Sequence, residues 1–285
     1  MIAIEPEEFA RLARIAHDEA GLHMPQNKSS FVAARLQRRL RRLGMEGFGD
    51  YLRYLGSAEG GARREVRELV SALTTNVTGT YREAHHFELL ATHLRRWERV
   101  APRHRSFLAW SAGCASGEEP LSIAATCHAV LGRSWAERVR ILATDVDRAV
   151  LNRAQTVQET HALGQELLAG PVGSPRQSDL LDPCAHVEAL QAGITYMAHN
   201  VLRPLPVPGR FDAIFCRNVM IYFSAADQRN AQRLLRERLA PGGLLAIGHS
   251  ERLTPDLSGL ERVGRTAFRA CPSARPAPEG TARCR

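Results

Sequence analysis

The chain has 285 residues, 44% hydrophobic and 24% charged, an ordinary balance for a globular protein of one large or two modest domains. No apolar run approaches the roughly 20 residues of a membrane span, and the acidic start around Glu5, Glu7 and Glu8 lacks a signal peptide's basic region, so a cytoplasmic location is expected. A net charge of +8 points to an acidic partner, and six scattered cysteines with no C-x-x-C pair read as free thiols.

Residues 1 to about 75 carry helical spacing only. Phe9, Leu12, Ile15 and Ala16 repeat at helical intervals, as do Val32, Leu36, Leu40 and Leu43, then Tyr51, Leu52 and Leu55, then Val66, Leu69, Val70 and Leu73. A small all-α bundle is predicted. Within it, Arg35, Arg38, Arg39 and Arg42 fall at i, i+3, i+4 and i+7, one face of a helix opposite its apolar stripe, and no acidic residue lies between 28 and 45. So many like charges repel one another, and a dedicated acidic partner is the preferred reading over a solvated face. Nucleic acid would satisfy the same charges.

From about 105 the pattern alternates. Strands are predicted at 106–111, 139–145, 193–199, 211–216 and 243–248, with helices at 118–131, 147–155 and 225–239, and a closing hairpin at 259–264 and 266–271. Alternation of this kind implies a mostly parallel sheet covered on both faces. Residues 272–285, rich in Pro, Ala and Arg, have little to bury and are expected to be disordered.

The first strand runs from Phe107 into Trp110 and the loop to Pro120, which contains Gly113 and Gly117 and opens a helix at Glu118, Glu119 and Pro120. Strand, glycine loop and helix start together suit a nucleotide-like cofactor lying against the main chain. Two acids at the helix start repel a phosphate and favour a guest carrying positive charge. In such a sheet the ligand lies beyond the carboxyl ends of the strands. There, Asp145 and Asp147 both qualify by position for a ribose diol; Asp145, which closes the second strand, is the preferred one, and the other reading of Asp147 is a cap on the following helix. The third strand ends near Asn200 and the fourth at Arg217 and Asn218. His85, His86, His93 and His104 match no ligand spacing, so no metal is expected.

Five segments resemble one family, the chemotaxis receptor methyltransferases of the CheR type: Leu73 to Phe87, Trp110 to Pro120, Ala143 to Asp147, Phe211 to Phe223, and Leu239 to Glu251. The resemblance runs over about 1–155 and 185–270. It implies a Rossmann-like class I methyltransferase domain, with a mostly parallel seven-stranded sheet and a small inserted β flap at about 156–198. An N-terminal helical substrate-recognition domain with its linker (1–84) precedes the methyltransferase domain (85–271). The implied cofactor is S-adenosylmethionine, contacted by Asn76, Thr78, Arg82, Glu119, Asp145, Asn200, Val201, Arg217 and Asn218, with Arg82 and Tyr222 lining the transfer site. Glu119 suits the donor's ammonium, and Arg82 suits a carboxylate. The implied reaction is methyl transfer to glutamates in the acidic helical methylation region of a chemoreceptor, with Arg35, Arg38, Arg39 and Arg42 binding that substrate. A glutamate is ionised at neutral pH and already nucleophilic, so the reaction asks for alignment and electrostatics. The segment 156–184 departs from the family pattern, which puts docking of a receptor tail peptide in doubt. Two other readings are a nucleic-acid methyltransferase and a non-catalytic cofactor-binding module.

Overall fold

The computed structural model describes residues 2–58, 60–102, 104–156, 161–173, 182–255 and 257–271. The expected helices form α1 (Pro6–Ala20), α2 (Ser29–Leu43), α3 (Phe48–Leu55) and α4 (Ala62–Leu73). Pro6 opens α1 beside a capping box between Glu5 and Glu8, and Gly21 and Gly44 end α1 and α2 in the left-handed region. Phe9, Leu12, Leu36, Leu40, Tyr51 and Leu69 fill the space between them. Val146 and Tyr222, from the sheet domain, pack against the same cluster.

Residues 74–84 run without regular structure into α5 (His85–Val100). The alternating part follows as β1 (Phe107–Ala112), α6 (Glu118–Leu131), α7 (Trp135–Arg138), β2 (Val139–Asp145), α8 (Arg148–Gln155), α9 (His161–Leu168), α10 (Pro183–Gln191), β3 (Ile194–Ala198), β4 (Phe211–Cys216), α11 (Ala225–Arg238), β5 (Leu239–Ile247), β6 (Leu260–Gly264) and β7 (Ala267–Ala270). One seven-stranded sheet has the order β3-β2-β1-β4-β5-β7-β6. The first five strands pair in parallel; β7 runs antiparallel to both β5 and β6. Apolar layers cover both faces, one built around Phe87, Leu121, Ile123 and Phe215, the other around Trp110, Ile214, Leu235 and Leu245. Order reverses beside β1, between β2 and β4, which opens a crevice at the carboxyl edge.

One expectation needs correcting. In the segment at about 156–198, where a β flap is expected, the described residues form α9, α10 and the sheet's edge strand at 194–198, while 157–160 and 174–181 lie outside the described residues. Asp182 accepts from the N–H groups of Cys184 and Ala185, and Pro183 stands in the first turn, so the chain starts a helix there. Leu167, Val187 and Leu190 then bury at helical spacing in the main core. The fifth parallel strand also starts earlier than 243, because Leu239 pairs with Phe211 ahead of the Pro241-Gly242-Gly243 turn. The predicted tail, 272–285, lies outside the described residues.

Candidate functional site: a cleft at the carboxyl edge of the sheet

The crevice is closed from above by the helical domain. One wall is Ala20, Leu22 and the linker Thr74–Gly79; the other is Gly113, Ala115, Glu119, Thr144, Asp145, His199, Asn200 and Val201. Arg82, Arg217, Asn218 and Tyr222 complete it.

The glycine loop is held by β2. The N–H groups of Gly113 and Cys114 both donate to the Thr144 carbonyl, at 2.7 and 2.9 Å. Gly113 has φ +87°, and a Cβ there would lie 2.2 Å from Val219 Cγ2, so the position takes glycine alone. Asp145 accepts from the Ala115 N–H at 3.0 Å through Oδ2 and from the Asp147 N–H at 2.9 Å through Oδ1. Each oxygen keeps a lone pair, enough for a vicinal diol. Burial pushes this carboxyl up, and the two N–H groups oppose that shift.

Glu119, 8% exposed, accepts from the Ser111 hydroxyl at 2.6 Å and from Arg217 Nη1 at 3.1 Å. Burial pushes its carboxyl up while the Arg217 charge and Ser111 hold it down. Arg217 is buried to 2% side-chain exposure. Its Nη2 lies 3.6 Å from Glu83 and donates to the Arg82 carbonyl, and its Nε has no partner among the described residues. Arg82 itself is half-buried; one Nη donates to the Val77 carbonyl at 2.9 Å, and its neighbours Tyr81 and Glu83 both have positive φ. The backbone thus turns sharply on either side of a guanidinium at the mouth of the cleft.

The other predicted residues sort by what their side chains already do. Asn200 donates to the Glu19 carbonyl and accepts from the Leu202 N–H, so its amide fastens α1 to the sheet. Asn76 donates to Asp147 at 2.8 Å. Thr78 and Val201 line the cleft. Asn218 sits in the left-handed region at φ 59°, against Gly248, where a Cβ would meet its Nδ2 at 2.6 Å. Tyr222 lines the cleft, and its hydroxyl has no hydrogen-bond partner among the described residues; its carbonyl accepts from the His23 N–H.

Sequence reasoning missed Glu251 and Glu83. Glu251 accepts from the N–H groups of Gly248, Met220, Val219 and Asn218 at 2.6–3.1 Å, which folds the Arg217–Met220 turn under the cleft. Its signal was an acid closing the Gly248-His249-Ser250-Glu251 segment just beyond a buried strand. Glu83 joins Arg217 to His249, whose Nδ1 lies 3.1 Å away. Glu83, His85 and His86 also bring ligand atoms within 4.8 Å of one another, but the adjacent Arg217 charge opposes a cation there.

The basic stripe on α2 is less uniform than its spacing suggests. Arg39 is bound by Glu65 and Glu68 from α4, and Glu65 also accepts from the Tyr51 hydroxyl, so Arg39 is an interior ion-pair member. Arg35 donates to the carbonyls of Ala72 and Thr74 and lies over the Phe31 ring. Arg38 and Arg42 are exposed with no acidic partner among the described residues. All four line one groove with Glu68, Ser71 and Ala72.

Two family models match most of the chain. "CheR methyltransferase, all-alpha domain" covers 7–74, and "CheR methyltransferase, SAM binding domain" covers 76–267. The chain belongs to the CheR methyltransferase family. Among its relatives, the chemotaxis protein methyltransferase of Salmonella typhimurium is 36% identical over 279 residues, covering 94% of this chain and 91% of the relative. The Escherichia coli protein of the same name is 38% identical over 269 residues, covering 92% and 88%. Chemotaxis protein methyltransferase 2 of Pseudomonas aeruginosa is 35% identical over 268 residues, covering 92% of each. Family membership makes the chain an S-adenosylmethionine-dependent methyltransferase. The cleft's chemistry fits that cofactor: buried carboxylates at Glu119 and Asp145 suit an ammonium and a diol, arginines suit a carboxylate, and the acidic start of α6 is hostile to phosphate. No helix among the described residues is long and apolar enough to cross a membrane.

Proposed function

We propose that this enzyme methylates glutamate side chains in the acidic helical methylation region of chemoreceptors, in the cytoplasm, giving γ-glutamyl methyl esters. The observation that carries the reading is one cleft lined by Arg82 together with the buried carboxylates Glu119 and Asp145. S-adenosylmethionine supplies, when bound, a methyl carbon made electrophilic by the adjoining sulfonium. Asp145 is assigned to the ribose hydroxyls and Glu119, steadied by Arg217 and Ser111, to the ammonium. Thr78, Val201 and Asn218 are assigned to the walls that hold the donor, with Asn76 and Asn200 fastening those walls to the helical domain. Arg82 orients an incoming carboxylate; a solvated glutamate loses its proton near pH 4.3 (about 4.3 in free peptides), so at neutral pH the nucleophile is ionised and needs no base. Tyr222 presents its free hydroxyl beside it. Arg38 and Arg42, with Arg35 next to them, draw the acidic helix to the cleft.

The test is transfer of tritiated methyl onto receptor-containing membranes, followed by mild base. Label released as methanol identifies a carboxyl ester. Base-stable label, or label on RNA instead, overturns the proposal.

A further inference from the structure

Asp147 holds a position that capping α8 does not explain. It is 1% exposed. Its Oδ1 accepts from the Ala149 N–H at 2.9 Å, the cap. Its Oδ2 accepts from the Ser71 hydroxyl at 2.9 Å and the Asn76 amide at 2.8 Å, with Thr74 Oγ1 at 3.3 Å dividing its proton between Asp147 and the Ser71 carbonyl. Ser71 lies in the last turn of α4, Thr74 ends that helix, and Asn76 belongs to the linker that walls the cleft. In the other direction the Asp147 N–H donates to Asp145, the acid assigned to the ribose. Val146, between the two acids, lines the cleft and packs into the helical core.

We infer that Asp147 is a positioning residue that makes cofactor binding depend on the docking of the helical domain. One buried carboxylate gathers the end of α4 and the linker onto the loop that carries Asp145. Hydrogen bonds to a charged acceptor are the strong ones, and a buried donor left without its acceptor is costly. While the bonds hold, linker and β2 loop form one rigid wall. When they are lost, the linker is released from Asp145's side of the cleft, and a ligand must order it again on binding. The inference rests on the cofactor reading of the cleft.

Asp147→Ser is the discriminating variant, because serine still caps α8 while its shorter side chain cannot reach the α4 and linker donors. Calorimetric titration with S-adenosylhomocysteine is expected to show affinity lower by about tenfold. Hydrogen exchange of the ligand-free protein is expected to quicken at 75–79 while the α8 amides stay protected. The double variant Ser71→Ala, Thr74→Val keeps the Asp147 carboxylate and is expected to weaken binding by about threefold, with no further loss when added to Asp147→Ser. Affinity of Asp147→Ser within about twofold of the parent, unchanged exchange at 75–79, or full additivity overturns the inference. Should Asp147→Ser fail to fold, the Ser71/Thr74 variant decides alone: unchanged affinity refutes. A parent protein that does not bind S-adenosylhomocysteine at all refutes the cofactor assignment itself.

Discussion

Arg217→Met removes the guanidinium that stands between Glu83 and Glu119 while keeping its aliphatic bulk. Arg217 is 2% exposed at its side chain, Glu119 10% and Glu83 12%, so solvent does little to screen the loss. Removing one member of a buried pair costs about 3–5 kcal/mol, and the stranded Arg82 carbonyl adds about 1 kcal/mol. Against a total stability of about 5–15 kcal/mol that is about a quarter or more. With a urea slope of about 3 kcal/mol/M, the midpoint at pH near 7.5 is expected to fall by about 1.3–2 M. The pH dependence has a definite sign. Burial already pushes the Glu119 carboxyl up, and without Arg217 it rises further above the unfolded value of about 4.3. Between those two values the native state holds a proton that the unfolded state has lost, so the variant's stability falls as pH rises through that window. The deficit relative to the parent is therefore smaller near pH 5 than near pH 7.5. A loss below about 1 kcal/mol, or one that grows on acidification, refutes the view of Arg217 as the clamp between Glu83 and Glu119.

Arg82→Ala removes a half-buried side chain with one hydrogen bond, so circular dichroism and thermal midpoint should hardly change while methyl transfer drops by about a hundredfold or more. Replacing Arg38 and Arg42 by alanine should raise the KM for receptor and flatten its salt dependence, with S-adenosylhomocysteine affinity unchanged by calorimetry. Arg39→Ala should behave differently, costing about 2–3 kcal/mol in urea unfolding because Glu65 stays buried without its cation. His86 is fully buried, and its desolvation, reinforced by Arg217, pushes its pKa down to about 4. The unfolded imidazole takes its proton near 6.5, so stability is lost as pH falls from 6.5 towards 4, by about 3 kcal/mol from this group. His86→Gln should flatten that slope in unfolding measured across the range.

Short-range chemistry made much of this protein readable in one dimension. Helical spacing placed Leu36, Leu40 and Leu69 on one buried face, and α6 and α11 follow the predicted pattern nearly residue for residue. The parallel strands are legible because both faces are covered, so Phe211 to Cys216 must be apolar throughout except for Asp212. Gly113 and Asp145 stand out because a glycine turn and an acid at strand ends are local signals, and both come together in the cleft. The capping role of Asp147 was equally local.

Tertiary structure alone decided how the buried charges are partnered. Arg39 looked like its neighbours on α2 until α4 brought Glu65 and Glu68 against it, 26 and 29 residues away. The N–H groups of Asn218, Val219 and Met220 that Glu251 accepts, and the α4 and linker donors on Asp147, come from segments whose proximity no spacing records. His161–Leu168 and Pro183–Gln191 are helical, the second opening at Pro183 behind the Asp182 cap, and α6 offers an apolar face to receive Leu167 and Leu190. Periodicity and turn chemistry act over a few residues and survive in the order of amino acids. The free energy of a buried charge depends on what stands across from it, which exists only after the chain has closed.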